Sequence, residues 1–380
     1  MKKTNVDWPE VKLFLAITFF LTFMLDLIIW RFVGYGSNPA TGTLLQLRML
    51  LPAFTAIGLS MFFFEKRPLQ NMRKGAEGLR WFFYYFLAYT ILYALIGMMM
   101  IISQQTRILV IATAFSQGLT VLGLVLLVAL RLRYGGEAAS FAGLSWGKPR
   151  YWILFGMGFI LFYLSQTALN RFFSLGQSVD PVQFLSQIAP AQTDQFLATG
   201  PMALLLVTGV QTVLLSPFIA LPIAFGEEWG WRGYLQGELI KMGKVKGVML
   251  LGIIWGLWHA PIIFMGHNYP GYPVLGVFLM TAYTICLGFA LSYAVLKSGS
   301  VILAAFLHAL NNQVQSFLVM MVYRPQDPVF SFGIGLYGLA CLAVIVLLIQ
   351  KDRIWQDERI IDHESSARAF SIFGNKERRK

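Results

Sequence analysis

Charge is what this chain lacks. Only 13% of its 380 residues are Asp, Glu, Lys or Arg, while 57% are hydrophobic. A soluble domain needs nearer a quarter charged residues to wet its surface, so a single water-soluble globule is excluded. Cysteine is nearly missing as well. Cys286 and Cys341 both stand inside apolar runs, which rules out a disulfide framework and leaves the redox character of the compartment unread. Histidine occurs four times and acid eighteen times, so an ionisable residue inside an apolar run stands out. No internal repeat or low-complexity segment is evident.

What is present is apolar length. The mean hydropathy is +0.63, and runs rich in Leu, Phe, Ile and Met fall at 13–30, 43–64, 81–101, 108–130, 151–168, 202–225, 247–264, 274–296, 300–318 and 329–350. Runs of about 20 residues suit membrane helices, not the short alternating strands of an outer-membrane barrel. The expectation is an all-α, polytopic integral membrane protein of about ten transmembrane helices. The Met-Lys-Lys start before the first run imitates a secretory signal, but the run is long and lacks a convincing cleavage site, so it reads as a retained span.

The basic residues test this topology, because Lys and Arg accumulate on the cytoplasmic side. Alternate loops and the two ends hold 25 of the 30. The opposite loops hold Arg31, Arg107, Arg171 and Arg324, and Arg48 lies inside the second run. Both termini are therefore expected in the cytoplasm of a bacterial-type cell membrane. The same distribution accounts for the net charge of +12 without nucleic acid, since the cations serve every cytoplasmic loop instead of forming one patch. Trp8, Trp30, Trp81, Trp146, Trp152 and Trp355 are placed at span ends as an interfacial belt.

An ionisable group at membrane depth is costly unless paired or wet, and so marks function by default. Asp26, Glu227, Glu228, His259 and His308 are such groups. If the sixth helix kinks at Pro217 or Pro222 and runs on to about Lys241, then Glu227, His259, His308 and Asn312 lie roughly 16 to 23 Å from the cytoplasmic ends of three helices. Polar groups from three helices at one depth point to a buried site. Glu228 and Arg232, four apart with the acid first, suit a same-face ion pair. Glu227 points about 100° away, which leaves it as a general base. His308 and Asn312, again four apart, can aim donors at one oxyanion. Asp26 and Arg48 are expected to pair or to face water. His267 reads as a turn residue and His363 as part of a solvated tail, while Trp229, Trp231, Trp255 and Trp258 cluster near the motifs as cavity wall or packing.

Taken together, Glu227-Glu228-x-x-x-Arg232, Trp255-x-x-x-His259 and His308-x-x-x-Asn312 resemble, in order, the motifs of the CAAX prenyl protease and bacteriocin-processing (CPBP, or Abi) family of intramembrane peptidases. The likeness covers roughly residues 205–318, with Trp255 where Phe is usual. It implies that Glu227 and His259 activate a water, that His308 and Asn312 stabilise the oxyanion, and that Glu228 and Arg232 support the site. No cofactor and no metal are expected, because there is no His-Glu-x-x-His and a carboxylate with a histidine can act on water directly. The chain would divide into N-terminal spans with a long non-cytoplasmic loop (1–200), a catalytic helical core (201–320), and a last span with a basic tail (321–380). The expected partner is a membrane-associated protein or peptide substrate in the lipid bilayer, reaching the site from the cytoplasmic half. A non-proteolytic immunity or scaffold protein and a proton-coupled transporter are the alternative readings.

Overall fold

The computed structural model describes residues 5–36, 38–64, 77–103 and 105–357, the side chain of Phe141 excepted. The expectations for the basic segment 66–74 and for His363 in the tail lie outside these residues. The chain is helical almost throughout. The first five helices are α1 (Trp8–Ile28, prolonged by a π-helical turn Ile29–Val33), α2 (Ala40–Phe62), α3 (Arg80–Ile102), α4 (Thr106–Phe141, kinked at Gly135) and α5 (Pro149–Phe172). The long loop carries strand β1 (Gly176–Ser178) and the short helices α6 (Pro181–Ile188) and α7 (Thr193–Thr199), with Asp180 capping α6 through the amides of Val182 and Gln183.

The sixth expected helix is a broken rod. It runs as α8 (Pro201–Val210), a π-helical turn Gln211–Leu215, α9 (Ser216–Ile219), α10 (Leu221–Glu228), a second π-helical stretch Trp229–Leu235 and α11 (Gln236–Leu239). The break falls at Ala220, and Pro222, which has no N–H to donate, occupies the first turn of α10. Beyond it come α12 (Lys244–Trp258), α13 (Ala260–Phe264), α14 (Pro273–Ser298), α15 (Val301–Phe317, extended by a π-helical turn Leu318–Val322), β2 (Tyr323–Pro325) and α16 (Leu336–Ile349). Strand β2 pairs antiparallel with β1, Gln177 opposite Arg324.

Among the described residues seven helices are long and apolar enough to cross a membrane, and outward residues such as Val110, Ile153 and Phe278 are exposed apolar groups, as lipid contact requires. The protein is an all-α polytopic membrane protein. Three of the ten expected spans are not among these seven. The run 247–264 breaks at His259 into α12 and α13, and α15 counts 17 residues before its π-helical turn. The run 329–350 is helical only over the 14 residues of α16, about 21 Å against a hydrocarbon core of about 30 Å. Trp355, expected at the interface, is buried against Phe289.

Small residues set the centre of the bundle. A Cβ on Gly226 would lie 2.4 Å from the Met49 carbonyl oxygen, and one on Gly230 would lie 2.4 Å from Pro52 Cβ. These two glycines, four apart, let the α10 rod lie backbone to backbone on α2. Gly252 and Gly256 repeat the device, their Cβ positions 2.5 Å from the Cα atoms of Ile285 and Thr281 on α14. Such stripes replace the hydrophobic drive that is weak between helices in lipid. α10 also packs on α15, and one continuous apolar cluster joins the first two helices to α10, α12, α14 and α15.

Candidate functional site

Three local devices deliver the polar side chains. Glu227 and Glu228 end α10, where the passage into the π-helical stretch leaves the Glu228–Arg232 pair on one face: Arg232 Nη1 donates to Glu228 Oε1 at 3.0 Å. π-Turns of this kind recur at functional sites. His259 sits at the junction of α12 and α13, held open by Pro261 in the first turn of α13. α15 starts cleanly because Gly299 takes the left-handed conformation (φ 67°) and Ser300 Oγ accepts from the Leu303 amide at 2.9 Å, and the helix then carries His308 into the centre.

Glu228 does more than pair with Arg232. Its Oε1 also accepts from His308 Nδ1 at 2.8 Å across 80 residues of chain, so His308 presents Nε2 away from Glu228. All three are buried. Trp255 is the hub of the remainder. Its indole Nε1 donates to Glu227 Oε2 at 2.7 Å, its carbonyl accepts from His259 Nδ1 at 2.8 Å, and its ring lies 5.5 Å from that of His308. The Arg232 guanidinium stacks on the same ring at 4.2 Å. A carbonyl can only accept, so His259 carries its proton on Nδ1 and leaves the Nε2 lone pair free. Glu227 is likewise occupied on Oε2 only. Glu227, which helical spacing leaves without a partner on its own helix, thus accepts from a donor on another helix, one that Phe at position 255 would not supply.

Asn312 is exposed on α15 and faces a cavity of about 580 Å³ that Glu227, His259 and His308 also line. Its neighbour Asn311 orients it. Asn311 Oδ1 accepts from the hydroxyls of Tyr163 (2.7 Å) and Tyr283 (3.1 Å), which turns its Nδ2 to donate to Asn312 Oδ1 at 3.0 Å. With that oxygen engaged, the Asn312 amide keeps its N–H groups for the cavity. Asn311, Tyr163 and Tyr283 are absent from the motif-based set; the adjacent Asn-Asn pair was the available signal for the first, and nothing in the sequence marked the tyrosines.

Two further residues join the wall. Arg48 is buried, donates from Nε to Asp26 Oδ1 at 3.0 Å and from Nη2 to the Trp258 carbonyl, and stacks on the Trp258 ring at 3.6 Å. Trp258 Nε1 in turn donates to Thr22 at 2.9 Å. The first two helices therefore clamp the backbone beside His259. Asp26 and Arg48 pair, and Arg48 reaches the cavity as well. His267, read as a turn residue, lines the cavity and is bonded through Nδ1 to the Tyr35 hydroxyl.

The arrangement offers two acceptors, Glu227 Oε1 and His259 Nε2, and donors from Asn312 around one cavity. That is a complement for polarising water and for holding negative charge. Among the described residues no group of three or more His, Cys, Asp or Glu side chains could hold a metal ion.

Comparison with known proteins points to the same segment. Residues 209–314 match the family described as type II CAAX prenyl endopeptidase Rce1-like. A CAAX prenyl protease 2 from Methanococcus maripaludis is 34% identical over 110 residues, which cover 27% of this chain and 40% of that relative. The chain thus spans two fifths of the length of the curated relative it matches. No solved structure matches the chain.

Proposed function

We propose, from the premise that residues 209–314 are of the Rce1-like family of CAAX prenyl endopeptidases, that this membrane protein is an intramembrane endopeptidase. Its substrate is a membrane-associated protein or peptide. Glu227, with His259 beside it, takes a proton from a water, and the oxygen attacks the peptide carbonyl carbon. The carbonyl electrons move onto oxygen, which accepts from the Asn312 amide and from the Nε2–H of a doubly protonated His308 whose Nδ1–H is given to Glu228. As the C–N bond breaks, the proton held at Glu227 passes to the leaving amine, giving an acid and an amine from one peptide and one water. Glu228 and Arg232 hold His308 and Trp255 in place.

The observation that carries this reading is the Trp255 hub: one residue bonds Glu227, fixes the tautomer of His259 and packs on His308. A transporter needs no fixed imidazole tautomer beside its proton carrier, and a scaffold needs neither. The test compares membrane proteomes of cells expressing the wild type and Glu227→Gln. A membrane peptide truncated only in the wild type is the expected result. Identical proteomes, with His259→Ala equally silent, would sink the peptidase reading.

A further inference from the structure

The cavity belongs to one half of the molecule. On α5 it is lined by Tyr163 to Asn170, in the second half of that helix; on α14 by Met280 to Leu287, from the first half to just past the middle; on α15 by His308 onward; and on α2 by Leu45 to Met49, in the first half. These four helices run alternately up and down, so the lining portions share one side of the bundle. Glu227 on α10 and Trp255, His259 and Ile262 around the α12–α13 junction form its floor, and the loops at that side add His267 to Pro270, Tyr323 to Pro325, and 328–334. The segments 131–150, 236–254, 288–307 and 335–357 contribute no lining residue, although they hold the ends of α4, α11, α12, α14, α15 and α16 on the opposite side.

The opposite side is the basic one. Arg131, Arg133, Lys148, Arg150, Lys241, Lys244, Lys246, Lys297, Lys351 and Arg353 all belong to it, whereas the loops on the cavity side hold Arg31, Arg107, Arg171 and Arg324 alone among their basic residues. Positive loops stay in the cytoplasm. Ser316, Asn268 and Arg324 are exposed where they line the cavity, which places its opening on the face away from the positive loops. The outer loops are organised around that opening, with Gly333 N–H donating to Gln166, Phe332 and Asn170 exchanging two hydrogen bonds, and the Tyr269 hydroxyl donating to the Ile334 carbonyl.

We infer that the site is reached from the non-cytoplasmic face, and that its substrates are membrane-anchored peptides whose scissile bond lies in the outer half of the bilayer or on the exported side. This differs from the expectation of access from the cytoplasmic half, and it rests on the peptidase reading only for the word substrate.

Cysteine accessibility in intact cells tests the geometry without any activity. In a background with Cys286 and Cys341 changed to Ala, the variants Ser316→Cys, Asn268→Cys and Lys148→Cys are treated with a membrane-impermeant maleimide before and after permeabilisation. The first two should react in intact cells and Lys148→Cys only after permeabilisation. Reaction of Ser316→Cys only after permeabilisation, or its failure to react in either state while Asn268→Cys reacts, overturns the inference. A second arm labels new amino termini with an impermeant amine reagent on cells carrying wild type or Glu227→Gln. New termini labelled from outside in the wild type support it, and new termini labelled only after permeabilisation overturn it while leaving the peptidase intact. Absence of any new terminus, with Ser316→Cys labelled from outside, removes the peptidase and keeps the outward-facing cavity.

Discussion

Arg48 and Asp26 allow the coupling between the first two helices and the site to be measured. Both are buried, and Arg48 Nε lies 3.0 and 3.3 Å from the two Asp26 oxygens. Removing one member of a buried pair strands the other charge and costs about 3–5 kcal/mol. Replacing both by apolar residues of similar size removes that penalty, but leaves the Trp258 carbonyl without its charged donor at about 1–3 kcal/mol. Arg48→Met and Asp26→Leu should therefore each destabilise by about 3–5 kcal/mol, and the double variant by no more than either single one, a coupling of about 3–5 kcal/mol or more. The assay is unfolding in mixed micelles on SDS titration, followed by tryptophan fluorescence. Single variants that cost less than about 1 kcal/mol, as exposed pairs do, would refute the reasoning. Strict additivity would refute it equally.

Trp255→Phe keeps the ring and removes the N–H given to Glu227. A hydrogen bond to a buried charge is worth about 1.5–3 kcal/mol, so kcat/KM for a substrate found by the proteome comparison should fall about 10- to 150-fold, and an unchanged rate would show that Trp255 does not hold Glu227. Asn311→Asp keeps the acceptor for Tyr163 and Tyr283 but cannot donate to Asn312. kcat should fall about tenfold or more with KM unchanged, and a matching rise in KM instead would argue for a merely structural role. His267 titrates outside the spanning helices, and burial, with the Arg48 guanidinium nearby, pushes it down to about 4. Its neutral form is the one that docks with Tyr35, so its contribution is complete above about pH 6.5 and is lost as the pH falls from there toward 4, on the order of 3 kcal/mol. The melting temperature in detergent should drop over that window in the wild type and drop less in His267→Gln.

Period and composition suffice for the helices that lie against lipid, because their outward faces must be apolar whatever they pack on, and α1 to α5 and α14 follow their hydropathy closely. They fail where a helix is enclosed by protein. α12 and α13 are one apolar run to a hydropathy reading, yet Pro261 divides them and the division is what presents His259; the run 329–350 spends its first residues capping the cavity. The same distinction governs the site. Glu228 and Arg232 are legible since helical spacing alone brings them together, whereas Glu228 with His308, and Glu227 with Trp255, meet across 80 and 28 residues through contacts no period encodes. A signal for those contacts was nevertheless present. Gly226 precedes Glu227 and Gly256 follows Trp255, each paired with a glycine four residues away, and in lipid such stripes mark where backbones touch. Both stripes flank the motifs because polar side chains can meet in a dry interior only where the helices that carry them are locked at close range. Glycine spacing beside an intramembrane acid is therefore a guide to which helices share a site, independent of the motif itself.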